Sequence, residues 1–335
     1  MVPAEDDPRS LVDAALDHDK FAVARLISLF EDRRPDAAAR RAAVIDALDD
    51  HPRRGGDSRP SGPTGTIIGL TGTPGSGKSS LLSRLTVDLL DADDDLSIAV
   101  VAVDPSSHVS GGALLGDRTR MRFQPDERRL FFRSQASDSD LGGLGPSSFQ
   151  VCRLLTRLFD CVMIETVGIG QSEADIRHLA DRVYLVLQPL GGDEVQFLKA
   201  GIIEVPHAFV LNKSDEPSSS TSYHHLRSSM WLARPFDEEE PPIFRTSALT
   251  GDGLAELEAD IAARIAGHGG TDRGGGLAAR EPYFFERWVD DEWGRHGLRF
   301  LAERCGGAAT YLRDRGGYDS AQGSFGDELL AHLRG

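Results

Sequence analysis

Between residues 10 and 50 apolar side chains recur at helical spacing: Val23, Leu26, Ile27 and Phe30 fall at i, i+3, i+4 and i+7, and Ala42, Ile45 and Leu48 continue a stripe further on. That period predicts two helices, with Pro35 suited to the first turn of the second. His51 to Gly65 is rich in Pro, Gly, Arg and Ser, carries no period and is expected to be a linker. From Thr66 the pattern changes. Apolar, β-branched runs at Thr66–Leu70, Ile98–Val103, Cys161–Ile164, Val183–Leu187 and Ala208–Leu211 are separated by helix-like stretches. Such alternation predicts an α/β fold with a mostly parallel central sheet flanked by helices. A Gly-rich join at Gly267–Gly276 precedes a tail holding Phe284, Phe285, Trp288, Trp293 and Phe300, expected to be either an interface or a small packed subdomain. The chain thus divides into an N-terminal helical lobe and linker (1–60), a central α/β domain (65–267) and a C-terminal extension (268–335).

Composition narrows the options. The 335 residues, 40% of them hydrophobic and 27% charged, suffice for one large core with appendages. A formal net charge of −16 argues against nucleic acid as a partner, because phosphate backbones are bound through clustered Lys and Arg. The three cysteines, Cys152, Cys161 and Cys305, match neither a zinc site nor a disulfide framework, which fits a reducing cytoplasm. No apolar run approaches the roughly 18 residues of a membrane span, and the first ten residues are not those of an export signal, so no membrane partner is expected.

The chemistry is concentrated at the first β-like run. Gly72-Thr73-Pro74-Gly75-Ser76-Gly77-Lys78-Ser79 is a complete Walker A sequence between Thr66–Leu70 and the helical stripe of Leu82, Leu85 and Leu89. Glycines let backbone N–H groups turn inward around phosphates, the helix N-terminus adds its dipole, Lys78 reaches the β and γ oxygens, and Ser79 ligates Mg²⁺. Asn212-Lys213-Ser214-Asp215 follows the apolar run ending at Leu211. A carboxylate at Asp215 accepts from guanine N1 and N2, a donor pair that adenine lacks, so GTP and GDP are expected over ATP. Ser247-Ala248-Leu249, after Ile243–Arg245, is expected to cap the base. Asp104, at the end of the run Ile98–Val103, and Asp117 are candidate Mg²⁺ or water ligands. Arg118 and Arg120 either meet phosphate charge or are solvated helix residues. Glu165 takes the Walker B position, and Gly168 offers an N–H to the γ-phosphate that is lost with it, the logic of a GTPase switch. Gln171 either orients a water or serves as a structural switch residue.

Five runs together, Thr71–Ser80, Val103–Met121, Glu165–Glu173, Gly191–Gly201 and Asn212–Asp215, resemble the MeaB/MMAA family, proteins once called ArgK. The likeness spans roughly residues 20–265. It implies a P-loop GTPase that docks on an adenosylcobalamin-dependent acyl-CoA mutase, methylmalonyl-CoA mutase above all, gates cofactor delivery and ejects inactivated cofactor. It also implies slow basal hydrolysis that the mutase accelerates, a homodimer, and a third mobile loop at Gly191–Lys199. Lys199 there is a candidate for a charge-stabilising cation in the stimulated reaction. The tail beyond Gly267 does not visibly match the family's helical dimerisation arm. Two rival readings are a small-molecule or protein kinase, for which no acceptor pocket is evident, and a nickel metallochaperone. The latter needs Cys and His in close array, and His207, His224 and His225 stand apart from every cysteine.

Overall fold

The β-branched runs become strands because both of their faces are buried. The computed structural model describes residues 8–34, 36–51, 65–104, 126–136, 144–166, 172–189, 205–233, 240–267 and 273–334. Its seven-stranded parallel sheet has the order β3-β2-β4-β1-β5-β6-β7. In chain order these are β1 (Thr66–Gly72), β2 (Ile98–Asp104), β3 (Leu130–Ala136), β4 (Cys161–Glu165), β5 (Arg182–Leu187), β6 (Ala208–Leu211) and β7 (Ile243–Arg245). Every residue of β1 is buried, as expected of a central parallel strand.

Period-2 alternation decides which helix meets which face. Ile68, Leu70, Val100, Met163, Tyr184 and Val210 point to the side where α4 (Lys78–Ala92) lays Leu81, Leu82, Leu85 and Leu89. Leu254, Leu257 and Ile261 belong to the same cluster and come from a later helix, Leu254–Gly267. On the other face Leu185 and Phe209 meet Leu226 and Met230 of Ser219–Ala233. The helix Ser172–Leu179 comes so close to β1 that a Cβ at Gly69 would lie 2.7 Å from Ile176 Cδ1.

Contacts divide the chain into two compact units. One is the sheet with its crossover helices. The other gathers α1 (Pro8–Leu16), α2 (Lys20–Phe30), α3 (Ala37–Asp50), α5 (Pro146–Leu158) and the C-terminal helices. Numbering in chain order, the three sheet helices just given after α5 are α6 (Ser172–Leu179), α7 (Ser219–Ala233) and α8 (Leu254–Gly267). The C-terminal set is α9 (Arg273–Ala278), α10 (Glu281–Arg304), α11 (Ala308–Arg315) and α12 (Tyr318–Arg334). The tail aromatics are core of this second unit. Phe149 of α5 stacks on Phe284 at 4.5 Å, and Phe285 packs edge-on against Tyr318 and Phe325.

A polar knot sits in the same unit. The Asp319 carboxylate accepts from Arg41 Nε at 3.0 Å, Gln150 Nε2 at 3.1 Å and Arg153 Nη1 at 2.8 Å. Burial alone would push Asp319 up, but the guanidiniums of Arg153 and Arg41 outweigh it and hold the carboxyl below its ordinary range.

Three differences from the sequence expectations have local causes. The N-terminal stretch holds three helices, because His18 turns the chain at φ 59° and Asp19 then caps α2 by accepting from Ala22 N at 2.8 Å. Pro35 and the linker residues 52–64 lie outside the described residues. A strand not anticipated, β3, occupies one edge of the sheet, and β1 runs two residues further than its apolar stretch, to Gly72.

Candidate functional site

The crevice at the carboxyl ends of the strands is assembled by register. Gly72 lies opposite Val186 of β5, and Leu70 lies opposite Glu165 of β4, which puts the Walker B position one strand away from the phosphate loop. Gly72 leaves the sheet at φ 142°, where a Cβ would lie 2.0 Å from Val186 O, so only glycine allows the loop to start there. Gly77 caps α4 in the left-handed region at φ 85°.

Lys78 is buried and donates from Nζ to Gly72 O at 2.9 Å and Thr73 O at 3.1 Å, which holds its charge over the loop that would cradle the phosphates. The hydroxyls of Thr73 and Ser76 are buried without a hydrogen-bond partner among the described residues. Ser79 Oγ donates to Glu165 Oε1 at 2.7 Å. Two hard oxygen donors thus converge at the P-loop mouth, a set suited to Mg²⁺, which takes one or two protein ligands and completes its shell with water and phosphate. No cage of three or more His, Cys, Asp or Glu occurs among the described residues.

The base loops close the other side. Asn212 donates from Nδ2 to Ser76 O at 2.8 Å and accepts at Oδ1 from Ala248 N at 3.1 Å. Both ends of this buried amide hold protein, stitching the phosphate loop to the strand-end loops after β6 and β7. Ser214 N donates to Thr246 O at 2.9 Å, fixing the two loops side by side. A cavity of about 890 Å³ opens between them. Gly77, Ser80, Asn212, Lys213, Asp215, Ser247, Ala248 and Leu249 line it, within the size range of ligand pockets. Leu249 is 84% exposed and stands at the rim, while Asp215 is exposed and free to meet a ligand edge.

Of the residues singled out from sequence, Gly72 to Ser80, Glu165, Asn212, Lys213, Asp215 and Ser247 to Leu249 therefore lie around one crevice. Asp104 ends β2, its backbone paired with Ala136, and its side chain is not described. Asp117, Gly168, Gln171 and Lys199 lie outside the described residues. Ser83, Arg84 and Val87 line the same cavity without belonging to any motif. Their signal was available: they continue the face of α4 that starts at Ser80, three, four and seven residues on.

The family model described as "Methylmalonyl Co-A mutase-associated GTPase MeaB" matches residues 23–280. A putative GTPase of Pyrococcus horikoshii is 38% identical over 243 residues, covering 71% of this chain and 72% of the relative. The GTPase ArgK of Escherichia coli is 34% identical over 244 residues, covering 71% of this chain and 70% of that protein. A solved structure titled as a LAO/AO transport system kinase covers all of both chains with TM-score 0.62 at 21% identity, a likeness of fold.

Proposed function

Since this chain belongs to the MeaB family of methylmalonyl-CoA mutase-associated GTPases, we propose that it is the nucleotide-driven chaperone of an adenosylcobalamin-dependent acyl-CoA mutase, methylmalonyl-CoA mutase first. It is a P-loop GTPase that binds guanine nucleotide. In the finer reading, GTP binding and hydrolysis gate cofactor delivery and help to protect or reactivate the mutase. The family match across 23–280 carries this reading.

The residues singled out from sequence have assigned work in it. Lys78 offsets charge on the β and γ oxygens, and Asp215 reads the guanine N1 and N2 edge while Ser247, Ala248 and Leu249 wall the base. Ser79 and Glu165 would hold Mg²⁺, whose charge when bound offsets that of the β- and γ-phosphates. Asp104 and Asp117 serve as further candidates for that shell. Gly168 reports the γ-phosphate, Gln171 orients water or switches, and Lys199 stabilises transition-state charge in the partner-stimulated reaction. The protein works in the cytoplasm as a homodimer. No helix among the described residues is long and apolar enough to cross a membrane.

The experiment is single-turnover hydrolysis of γ-labelled GTP with and without a methylmalonyl-CoA mutase from the source cell. Label released as inorganic phosphate, faster with mutase present, is expected. Label on a protein or metabolite would favour the kinase reading, and a rate indifferent to every cobalamin-dependent acyl-CoA mutase would overturn the chaperone role.

A further inference from the structure

Strand order puts one residue between the two halves of the nucleotide site. β5 lies between β1, which feeds the phosphate loop, and β6, which feeds Asn212 to Asp215. Gln188 is the first residue after β5, at the carboxyl end of the strand. It is half-buried, and its Oε1 accepts from Lys213 Nζ at 2.6 Å, a charge-assisted bond. On the other side the same carboxamide lies over the phosphate loop. A Cβ built on Gly75 would sit 3.9 Å from Gln188 Nε2 and 4.0 Å from Oε1.

Lys213 needs such a hold. Its backbone is in the left-handed region at φ 58°, a conformation that non-glycine residues adopt only when neighbours impose it. Its side chain lines the cavity, and a lysine stem with a free ammonium would sample many rotamers there. Anchoring Nζ on Gln188 leaves the four-carbon stem stretched from the base loop toward the phosphate loop, an apolar strip on the cavity wall. Ordering that strip before the ligand arrives removes an entropy cost from binding.

We propose that Gln188 is a positioning residue for guanine nucleotide: it acts through Lys213, presenting that side chain to the purine side of the crevice and tying base recognition to the phosphate loop. The inference rests on guanine-nucleotide binding, which the wild-type titration itself checks first.

The test is titration of the full chain with a fluorescent GDP analogue. Gln188→Leu, similar in size but without the acceptor, should raise Kd about tenfold, near the loss expected for one hydrogen bond to a charged group. Gln188→Glu keeps an acceptor oxygen and should stay within about threefold of wild type. Lys213→Met keeps the stem and removes the ammonium, so adding Gln188→Leu to it should weaken binding no further. Thermal unfolding without nucleotide separates these effects from a damaged fold. Wild-type affinity in Gln188→Leu, failure of Gln188→Glu to restore binding, or multiplying losses in the double variant would each overturn the assignment.

Discussion

Replacing Asp319 by Ala puts the polar knot of the helical unit to its hardest test. The side chains of Arg41 and Arg153 are 7% and 6% exposed, and both lose the carboxylate that faces them. Gln150 loses an acceptor at 3.1 Å as well. What remains to Arg41 is neutral: Asp32 O at 2.7 Å and Gln322 Oε1 at 3.0 Å. Arg153 keeps the neutral Gln150 Oε1 at 2.6 Å and the Glu281 carboxylate at 3.5 Å. Stranding buried charge in this way costs about 3–5 kcal/mol, far more than the net worth of the intact pair. With a urea slope of about 2 kcal/mol/M, the transition of the helical unit should fall by roughly 1.5–2.5 M. Asp319→Asn keeps one acceptor oxygen and should fall by less. Replacing Arg41, Arg153 and Asp319 together by apolar residues of similar volume should recover much of the loss, because the stranded charges leave with their partner. The assay is urea unfolding followed by tryptophan fluorescence in a Trp231→Phe background, which leaves Trp288 and Trp293 of this unit as the reporters. A midpoint for Asp319→Ala within about 0.5 M of wild type would show that water reaches the arginines and that the knot is not dry.

Three further outcomes are expected. Gly77→Ala forces a side chain into φ 85° and sets its Cβ 2.6 Å from Asn212 Nδ2. Left-handed strain of about 1–2 kcal/mol and one lost hydrogen bond of about 1 kcal/mol are incurred with or without nucleotide, so the variant should lose about 2–3 kcal/mol of folding stability by urea unfolding without nucleotide, and an unchanged midpoint would refute the stitched loop. Asp215→Asn swaps an acceptor for a donor, so GTP affinity should drop roughly 10- to 150-fold while XTP becomes acceptable; a variant that still prefers GTP would remove Asp215 from base reading. Burial pushes Glu281 above its ordinary 4.5 and outweighs the opposing pull of Arg153. A raised carboxyl contributes stability below its unfolded pKa and loses it as pH rises through the folded value, so ionised Glu281 is a net cost at pH 7. Wild type should therefore lose stability from about pH 4.5 upward relative to Glu281→Gln, and parallel pH profiles of the two would contradict this.

The central sheet was legible because strands buried on both faces must be apolar along their whole length. Leu130-Phe131-Phe132 starts in the same way, but Arg133, Ser134 and Gln135 follow, and a strand that pairs only with β2 at the sheet edge tolerates that mixture. The turn at His18 escaped notice because it lacks the glycine that usually marks a positive φ. In the site, the Walker A loop was readable from its glycines, Lys78 and Ser79 between a β-like run and a helical stripe. The double tie of Asn212 was not, since its partners Ser76 and Ala248 are 136 and 36 positions away. Gln188 carried no motif at all; its meaning comes from strand order, which no local pattern encodes. The same holds for α5, whose Gln150 and Arg153 find Asp319 169 and 166 residues later.

Those separations set a timetable for synthesis. Arg41 leaves the ribosome 278 residues ahead of Asp319, which at 5–20 residues per second is about 14–56 s. Every strand of the sheet is complete by Arg245, so the nucleotide-binding half has all of its chain well before the helical half receives its last member. In that interval α3, and α5 once it is made, wait for the carboxylate that faces Arg41 and Arg153, and Phe149 of α5 waits for Phe284 and Tyr318 to pack against it. The nascent chain is therefore most exposed to aggregation and proteolysis at its earliest-made helices, and a stop codon anywhere ahead of α12 would leave them permanently in that condition.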